Sequence, residues 1–241
     1  MDECPAAAVI CAAGSSSRMG GIKKEFERLD PAHPLTVLGS AVSAFAAVPS
    51  VKIIAIAVNE DREDEARKAL APERLSAKEP ELLFVKGGES RRASVFNALR
   101  ALSPRGPRYV LIHDGARPWV SPSLIEKLIE EVKKYHAVIP LLPVTETPKE
   151  CGSSLDGRGT REEAVFIKTH LKRANTGLAQ TPQAFSFSEI LRAHEKAAEA
   201  GEGDFTDDAE IWGRFCGPVA VIPGSPENRK ITFPQDFGNE F

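Results

Sequence analysis

Long apolar runs are missing from this sequence of 241 residues, in which no stretch approaches the roughly 20 apolar residues of a membrane span. The N-terminus is acidic, with Asp2 and Glu3, and lacks the basic start of a signal peptide. Lys and Arg number 31 against 34 Asp and Glu, so the net charge of -3 gives no electrostatic case for nucleic acid as a partner. We therefore expect a cytoplasmic protein that binds neither a membrane nor nucleic acid.

Cysteine is scarce, and its spacing carries no motif. The chain has four cysteines and no Cys-x-x-Cys pair. This pattern favours reduced thiols in a cytosolic protein rather than a disulfide framework. Cys11 lies inside an apolar run and is therefore expected to be a core residue, not a nucleophile.

Two familiar nucleotide-binding signatures are also absent. Apolar residues 6–12 read as a buried strand, small residues 13–17 follow it, and Arg18 and Lys24 come next, without the Gly-Lys-Ser/Thr of a Walker A loop or a Gly-x-Gly-x-x-Gly fingerprint. Small residues after a strand let backbone N–H groups approach a polyanion, and nearby cations meet its charge. The alternative is an ordinary turn with two solvated cations, and this stretch alone does not decide between them.

Apolar strands alternate with helices along most of the chain. The predicted strands are residues 6–12, 52–58, 81–86, 109–113, 137–142 and 219–222, with a possible short strand at 25–29. The predicted helices are residues 36–48, 60–70, 90–102, 121–135, 188–200 and 207–215. This alternation predicts an α/β fold with a mostly parallel sheet covered by helices on both faces. The length suits a single domain over residues 1–241.

Residues 143–176 interrupt this alternation with proline, glycine and charge. Two extended segments, 144–149 and 164–169, predict a protruding β-hairpin arm. A two-stranded hairpin is marginally stable alone in water, so we expect the arm to pack against a second copy and form a homodimer. The alternative is a mobile surface loop.

Candidate site residues follow three of the predicted strands. Gly14 and Arg18 come after the first, Gly88 after the third and Asp114 after the fourth. In parallel sheets ligands bind at the carboxyl ends of the strands. We therefore expect these residues to share one site.

The segment His113-Asp-Gly-Ala-Arg-Pro118 ends a predicted strand. Asp114 can accept from a sugar hydroxyl or lie near a metal-bound phosphate, and Arg117 can hold a phosphate. The alternative is a structural Asp–Arg ion pair, with Pro118 closing the strand. We expect His113 to be structural.

Glycines 87–88 precede a helix, where backbone groups can read a base edge and Ser94 can donate or accept. Arg91 and Arg92 could be solvated there. Asp207 and Asp208 are expected to cap the last helix, so no metal is assigned to them.

Together these motifs resemble the 2-C-methyl-D-erythritol 4-phosphate cytidylyltransferase family, in order and approximate spacing from about Ala6 to Asp236. The matching motifs are Ala12-Ala-Gly14 with Arg18 and Lys24, Gly87-Gly88 with Ser94, His113-Asp-Gly-Ala-Arg-Pro118, Pro143-Val-Thr-Glu-Thr147, Arg173 with Gln180-Thr-Pro-Gln183, Phe205-Thr-Asp-Asp208, and Asn228-Arg-Lys-Ile-Thr232. This chain departs from the family at Lys23, where proline is usual.

The resemblance implies a Rossmann-like nucleotidyltransferase fold and transfer of a cytidylyl group from CTP to 2-C-methyl-D-erythritol 4-phosphate. It implies that the triphosphate is contacted by Arg18, Lys24 and Lys230. It implies that cytosine and ribose are bound by Ala12, Ala13, Gly14, Gly88 and Ser94, with Asp114 at the ribose and metal side. It implies that the sugar phosphate is surrounded by Arg117, Thr147, Arg173, Thr181 and Thr206. The expected cofactor is Mg²⁺ held mainly by the CTP phosphates, and the arm would carry Thr147 and Arg173 to the partner's active site.

Two alternatives stay open. One is a cytidylyltransferase for another sugar-alcohol phosphate, such as ribitol 5-phosphate, although the motif from His113 to Pro118 favours methylerythritol. The other is a non-catalytic nucleotide-binding module, and the intact set of Arg18, Lys24, Asp114 and Lys230 argues against it.

Overall fold

The computed structural model describes residues 5–14, 22–29, 35–70, 80–153, 165–201 and 205–237. The strands in these ranges are β1 Ala6–Cys11, β2 Val51–Val58, β3 Glu81–Lys86, β4 Tyr109–Asp114, β5 Ala137–Pro143, β6 Lys149–Ser153, β7 Val165–His170, β8 Gly177–Ala179, β9 Gln183–Ser186 and β10 Ala220–Pro223. The helices are α1 Val37–Ala46, α2 Glu63–Ala69, α3 Arg91–Leu102, α4 Pro122–Tyr135, α5 Phe187–Glu199 and α6 Asp208–Phe215. No helix within these ranges is long and apolar enough to cross a membrane.

The main sheet has the strand order β10-β5-β9-β4-β1-β2-β3, with β8 paired to β5. Strand β1 is parallel to both β2 and β4, β2 is parallel to β3, and β10 is parallel to β5. Strand β9 runs antiparallel between β4 and β5, and β8 is also antiparallel. The prediction of a mostly parallel sheet is confirmed. Strands β8 and β9 are additions that the sequence analysis missed.

Helices cover both faces of this sheet, as predicted. Along β1, Ala8 and Ile10 pack into one apolar cluster with side chains of α1 and α4. Ala7 and Val9 point the other way, into a second cluster with side chains of α3, α5 and α6. The alternation of a strand places neighbouring side chains on opposite faces, so β1 contributes to both cores.

The possible strand at residues 25–29 is wrong. The chain there makes a 3-10 turn at Lys24–Phe26, followed by a single bridge between Arg28 and Thr36. Phe26 packs against the larger core and Leu29 is buried in a small cluster with Ile231. The two apolar side chains are three positions apart, and this spacing suits a turn better than the two-residue period of a strand.

The predicted hairpin is present, because β6 and β7 pair antiparallel in a sheet of their own. Its first strand begins at Lys149, where the prediction ended, and not at residue 144. Strand β5 continues to Pro143, and Pro148 has no N–H group for a ladder. Residues 144–148 therefore form the base of the hairpin instead of its first strand.

Candidate active site

The carboxyl ends of β1, β2 and β4 lie side by side. Cys11 is opposite Ala57 on one neighbour and Asp114 on the other. Beyond these strands the loops touch: a Cβ added to Gly87 would lie 2.4 Å from the Cβ of Ala13. Only glycine therefore fits this close approach. Burial raises the pKa of the Cys11 thiol to about 12, in keeping with a core residue and not a nucleophile.

Ser94 fixes the glycine turn that precedes α3. Its hydroxyl accepts from the backbone N–H of Gly88 at 3.0 Å and donates to the carbonyl oxygen of Ser90 at 2.9 Å. A Cβ on Gly88 would lie 2.4 Å from the Cβ of Ala93, so this position also requires glycine. The turn is held in one shape beside the Ala12–Ala13–Gly14 segment.

Asp114 is the centre of the charged cluster at this edge. Lys230 Nζ donates to Asp114 Oδ2 at 2.8 Å, and Arg91 Nε donates to Oδ1 at 3.3 Å. Arg117 Nε lies 3.8 Å from Oδ2. Burial acts to raise the pKa of Asp114, but Arg91 and Lys230 outweigh it and hold the pKa well below its usual range. The carboxylate is therefore ionised in the folded protein.

Arg91 also joins Asp114 to a second buried carboxylate. Its Nη1 donates to Asp208 Oδ2 at 2.7 Å, and His194 Nε2 lies 3.1 Å from Asp208 Oδ1. Arg91 is therefore not solvated, and Asp208, which stands in the first turn of α6 as expected, is in addition buried in an ion pair. The physical reason is that a fully buried carboxylate needs a charged or hydrogen-bonding partner. Asp207 does cap α6, since its side chain accepts from Glu210 N at 2.9 Å.

No local pattern in the sequence could have revealed the Arg91–Asp208 contact. The two residues are 117 positions apart, and each follows a helix-capping residue that accounts for the local sequence without a long-range contact. Arg91 follows Ser90, which caps α3, and Asp208 follows Asp207. The pairing arises only when the fold brings the N-terminus of α6 to the N-terminus of α3.

A hydrogen-bond chain links β4 to the turn before β9. The backbone N–H of Asp114 donates to Thr181 Oγ1 at 3.0 Å, and the Thr181 hydroxyl lies 3.1 Å from His113 Nδ1. His113 Nε2 lies 3.1 Å from the carbonyl oxygen of Arg117, which can only accept. The proton is therefore on Nε2, and Thr181 donates to Nδ1. Burial lowers the pKa of His113 to about 4, which supports its expected structural role.

The segment that carries Lys230 is tied to the loop after β4 and to the turn before β9. Arg117 Nη1 donates to the carbonyl oxygen of Asn228 at 2.8 Å, and Asn228 Nδ2 donates to that of Thr181 at 2.8 Å. The backbone N–H of Ile231 donates to Ala116 O at 2.9 Å. These bonds bring Lys230 to Asp114 across 116 positions of sequence.

The other sequence-predicted residues lie around this cluster in different ways. Lys24 is buried in the 3-10 turn, and Arg18 lies outside the described residues. Thr206 donates from its hydroxyl to Glu210 Oε2 at 2.8 Å. Thr147 and Arg173 are exposed at the base of the hairpin, where Arg173 Nη1 donates to Thr145 O at 2.8 Å. None of the contacts described for these last two joins them to Asp114.

Comparison with known proteins shows the family of the chain. A model of the family described as IspD, 2-C-methyl-D-erythritol 4-phosphate cytidylyltransferase, matches residues 6–240. The chain belongs to this family. The resemblance inferred from the motifs is thereby confirmed over nearly the whole sequence.

Relatives of this cytidylyltransferase family include longer proteins. The bifunctional enzyme IspD/IspF of Bradyrhizobium sp. (strain ORS 278) is 40% identical over 237 residues, which cover 97% of this chain and 55% of that protein. The enzyme of the same name from Bartonella henselae is 36% identical over 230 residues, covering 95% and 54%. The chain spans about half the length of these curated relatives.

Solved structures of the family share the fold. The 4-diphosphocytidyl-2C-methyl-D-erythritol synthase of Anaerococcus prevotii has a TM-score of 0.79 at 28% identity, covering 98% of this chain and 94% of that one. The 2-C-methyl-D-erythritol 4-phosphate cytidylyltransferase of Francisella tularensis has a TM-score of 0.75 at 26% identity, covering 97% and 96%. The predicted nucleotidyltransferase fold is therefore confirmed.

Proposed function

We propose that this chain transfers the cytidylyl group of CTP to 2-C-methyl-D-erythritol 4-phosphate, giving 4-diphosphocytidyl-2-C-methyl-D-erythritol and pyrophosphate for isoprenoid precursor synthesis. The observation that carries the proposal is the cluster of Asp114, Lys230 and Arg91 beside the glycine turn, at the carboxyl edge of a parallel sheet. The identity of the two substrates is inferred from membership of the family.

The reaction is an in-line substitution at the α-phosphorus of CTP. An oxygen of the sugar phosphate forms the new P–O bond, the bond to the bridging oxygen of the β-phosphate breaks, and pyrophosphate leaves with that electron pair. The second pKa of a phosphate monoester is about 6, so the nucleophile is ionised at neutral pH and needs no general base. Catalysis then depends on bringing two polyanions together and stabilising the leaving group.

Cations of the site supply this stabilisation. Lys24, Arg18 and Lys230 are proposed to contact the triphosphate. Asp114 anchors Lys230 by an ion pair, which fixes the direction of its ammonium group. The cytosine and ribose are proposed to bind at Ala12, Ala13, Gly14, Gly88 and Ser94, with Asp114 close to the ribose. The locked glycine turn supports this role, because it presents backbone groups in one geometry.

The sugar phosphate is proposed to lie among Arg117, Thr147, Arg173, Thr181 and Thr206. For Thr181 the hydrogen bonds favour an indirect contribution. Its single hydroxyl proton is donated to His113, so it has none left for a phosphate oxygen while that bond stands. Thr181 would then act by holding the end of β4, and with it Asp114 and Arg117, in position.

Mg²⁺ is the proposed cofactor. Within the described part of the chain, no group of three His, Cys, Asp or Glu side chains could hold a metal ion by itself. Asp114 offers one carboxylate, and Mg²⁺ is commonly held by one or two carboxylates together with substrate phosphates. The residues therefore fit a metal held mainly by the triphosphate. When bound there, Mg²⁺ neutralises part of the phosphate charge.

A homodimer through the hairpin is also proposed. Along β7, Val165, Phe166 and Ile167 are 69%, 56% and 51% exposed, so both faces of the hairpin carry apolar side chains that a second copy would cover. An apolar groove of about 600 Å³ lies at the base of the hairpin between the ends of β5 and β10, with Arg173 on its rim. Such a dimer would bring Thr147 and Arg173 to the partner's active site.

The proposed function is tested by pyrophosphate release from CTP with three reaction mixtures. These contain 2-C-methyl-D-erythritol 4-phosphate, ribitol 5-phosphate or no acceptor. Release with the first alone supports the proposal. Faster release with ribitol 5-phosphate would identify the alternative enzyme, and no release with either acceptor would favour a non-catalytic nucleotide-binding module.

A further inference from the structure

Lys23 lies beside the segment Ala12–Ala13–Gly14, although it belongs to none of the motifs found in the sequence. Its side chain is only 9% exposed, and its ammonium group donates to the carbonyl oxygen of Gly14. Gly14 is the third residue after Cys11, and Cys11 is opposite Asp114. The Lys23 ammonium is therefore at the same edge of the sheet as the charged cluster.

Lys23 differs from the other cations at this edge, because its charge is not paired with a described carboxylate. Lys230 and Arg91 both form ion pairs with Asp114. Across the residues that the structure describes, Lys23 has one hydrogen bond, to a neutral carbonyl, and no ion pair. An ammonium group has three donors, and a buried charge without an opposite charge is costly. The arrangement therefore suits an anionic partner for Lys23.

The next residue, Lys24, also acts on the C-terminal segment. Its charge contributes to lowering the pKa of Asp236, after the larger effects of hydrogen bonds from the Phe233 and Thr232 backbone N–H groups. Lys23 therefore has its described contact at Gly14, in the small segment after β1, and Lys24 adds positive charge near Asp236.

We propose that Lys23 binds the phosphates of the nucleotide, as a further cation of the site beside Lys24. This inference rests on the proposed function, because it takes the anion to be the triphosphate of CTP. The Lys23 ammonium donates one N–H group to the Gly14 carbonyl, which holds it in place, and has two N–H groups left for phosphate oxygens. Lys23 is then a binding residue and not only a tether for the loop.

The test compares the wild-type chain of residues 1–241 with Lys23→Gln, Lys23→Arg and Lys127→Met. Gln removes the charge but keeps an amide that can donate to Gly14, and Arg keeps the charge. Lys127 is exposed on α4, so its variant controls for the loss of one positive charge elsewhere. Equilibrium titration gives the Kd for CTP, and competition with a fluorescent CTP analogue gives the Kd for cytidine, which has no phosphate.

We expect Lys23→Gln to raise the Kd for CTP about tenfold or more, because the charge-assisted hydrogen bond to the phosphates is lost. The Kd for cytidine should stay within about twofold, because cytidine has no phosphate to bind Lys23. Lys23→Arg and Lys127→Met should bind CTP like the wild type. Equal losses for CTP and cytidine would show that Lys23 only shapes the loop, and an unchanged CTP Kd would also overturn the inference.

Melting curves establish that each variant is folded. If Lys23→Gln does not fold, Lys23→Met takes its place in the same two titrations. A wild type that binds CTP through Lys23 but releases no pyrophosphate with either acceptor would contradict the proposed function and leave this inference standing. A wild type that does not bind CTP would overturn both.

Discussion

At the scale of single residues, Asp114 determines the electrostatics of the site. Its carboxylate is paired with Lys230 and Arg91, and Arg91 extends the pairing to Asp208. The sequence motif predicted a functional Asp114 and Arg117 because both follow an apolar strand. It could not predict Arg91 or Asp208 as partners, since long-range ion pairs leave no spacing signal.

Replacing Asp114 by Asn should lower the free energy of unfolding at neutral pH by about 2 kcal/mol, because it leaves Arg91 and Lys230 facing a neutral amide. The folded-state pKa of Asp114 is depressed, so its contribution is complete above the ordinary aspartate value of 3.8 and is lost as the pH falls below it. Urea denaturation at several pH values measures this.

The stability difference between the wild type and Asp114→Asn should therefore be constant from neutral pH down to about pH 4 and shrink below that. Asp61→Asn is the matched control, because Asp61 is exposed on a surface turn. A difference that grows as the pH falls would contradict the ion-pair account of Asp114.

His113 should stay neutral across the physiological range. Burial lowers its pKa from 6.5 to about 4, so between these values the unfolded chain binds a proton that the folded chain does not. Stability should therefore decline as the pH falls through this window, by up to about 3 kcal/mol. NMR titration of the imidazole nitrogens should show the Nε2–H tautomer down to about pH 5. A midpoint near 6.5 would refute the buried hydrogen-bond chain.

At the scale of secondary structure elements, periodicity predicted what is long and apolar. Strand β3 and helix α3 are found within one residue of their predicted bounds. Strands β8 and β9 were missed because they have only three and four residues. Strand β9 begins at Gln183, a buried amide that donates to Asp207 Oδ2, and such a polar start hides a central strand from pattern analysis.

The hairpin formed by β6 and β7 is the element through which the proposed dimer would form. Phe166→Asp should convert a dimer into a monomer in analytical ultracentrifugation, because it places a charge in the apolar surface of β7. The melting temperature of the monomer's core should stay close to that of the wild type at low protein concentration.

Tyr135→Asp is the control for this substitution, since Tyr135 is also an exposed aromatic residue, 56% accessible at the end of α4. It should leave the sedimentation coefficient unchanged. A wild type that sediments as a monomer at all concentrations, or a Phe166→Asp protein that remains dimeric, would count against the dimer through the hairpin.

At the scale of the whole molecule, the parallel order of β1, β2, β3 and β4 places separate motifs at one edge. Glycine turns, Asp114 and the C-terminal Lys230 come from distant parts of the chain. Sequence analysis could predict this meeting for residues that follow predicted strands. It could not predict Lys23, whose position depends on a turn that was expected to be a strand.

The central claim is that this edge performs cytidylyl transfer with Lys230 as one of its phosphate-binding cations. Turnover of Lys230→Ala with CTP and 2-C-methyl-D-erythritol 4-phosphate tests it most directly, with Lys127→Ala as the matched control and melting curves for both. The loss of one preorganised donor should reduce kcat by about 10²–10³ fold, while Asp114 keeps Arg91 as a partner and the fold is retained. A folded Lys230→Ala protein with near wild-type turnover would contradict the claim.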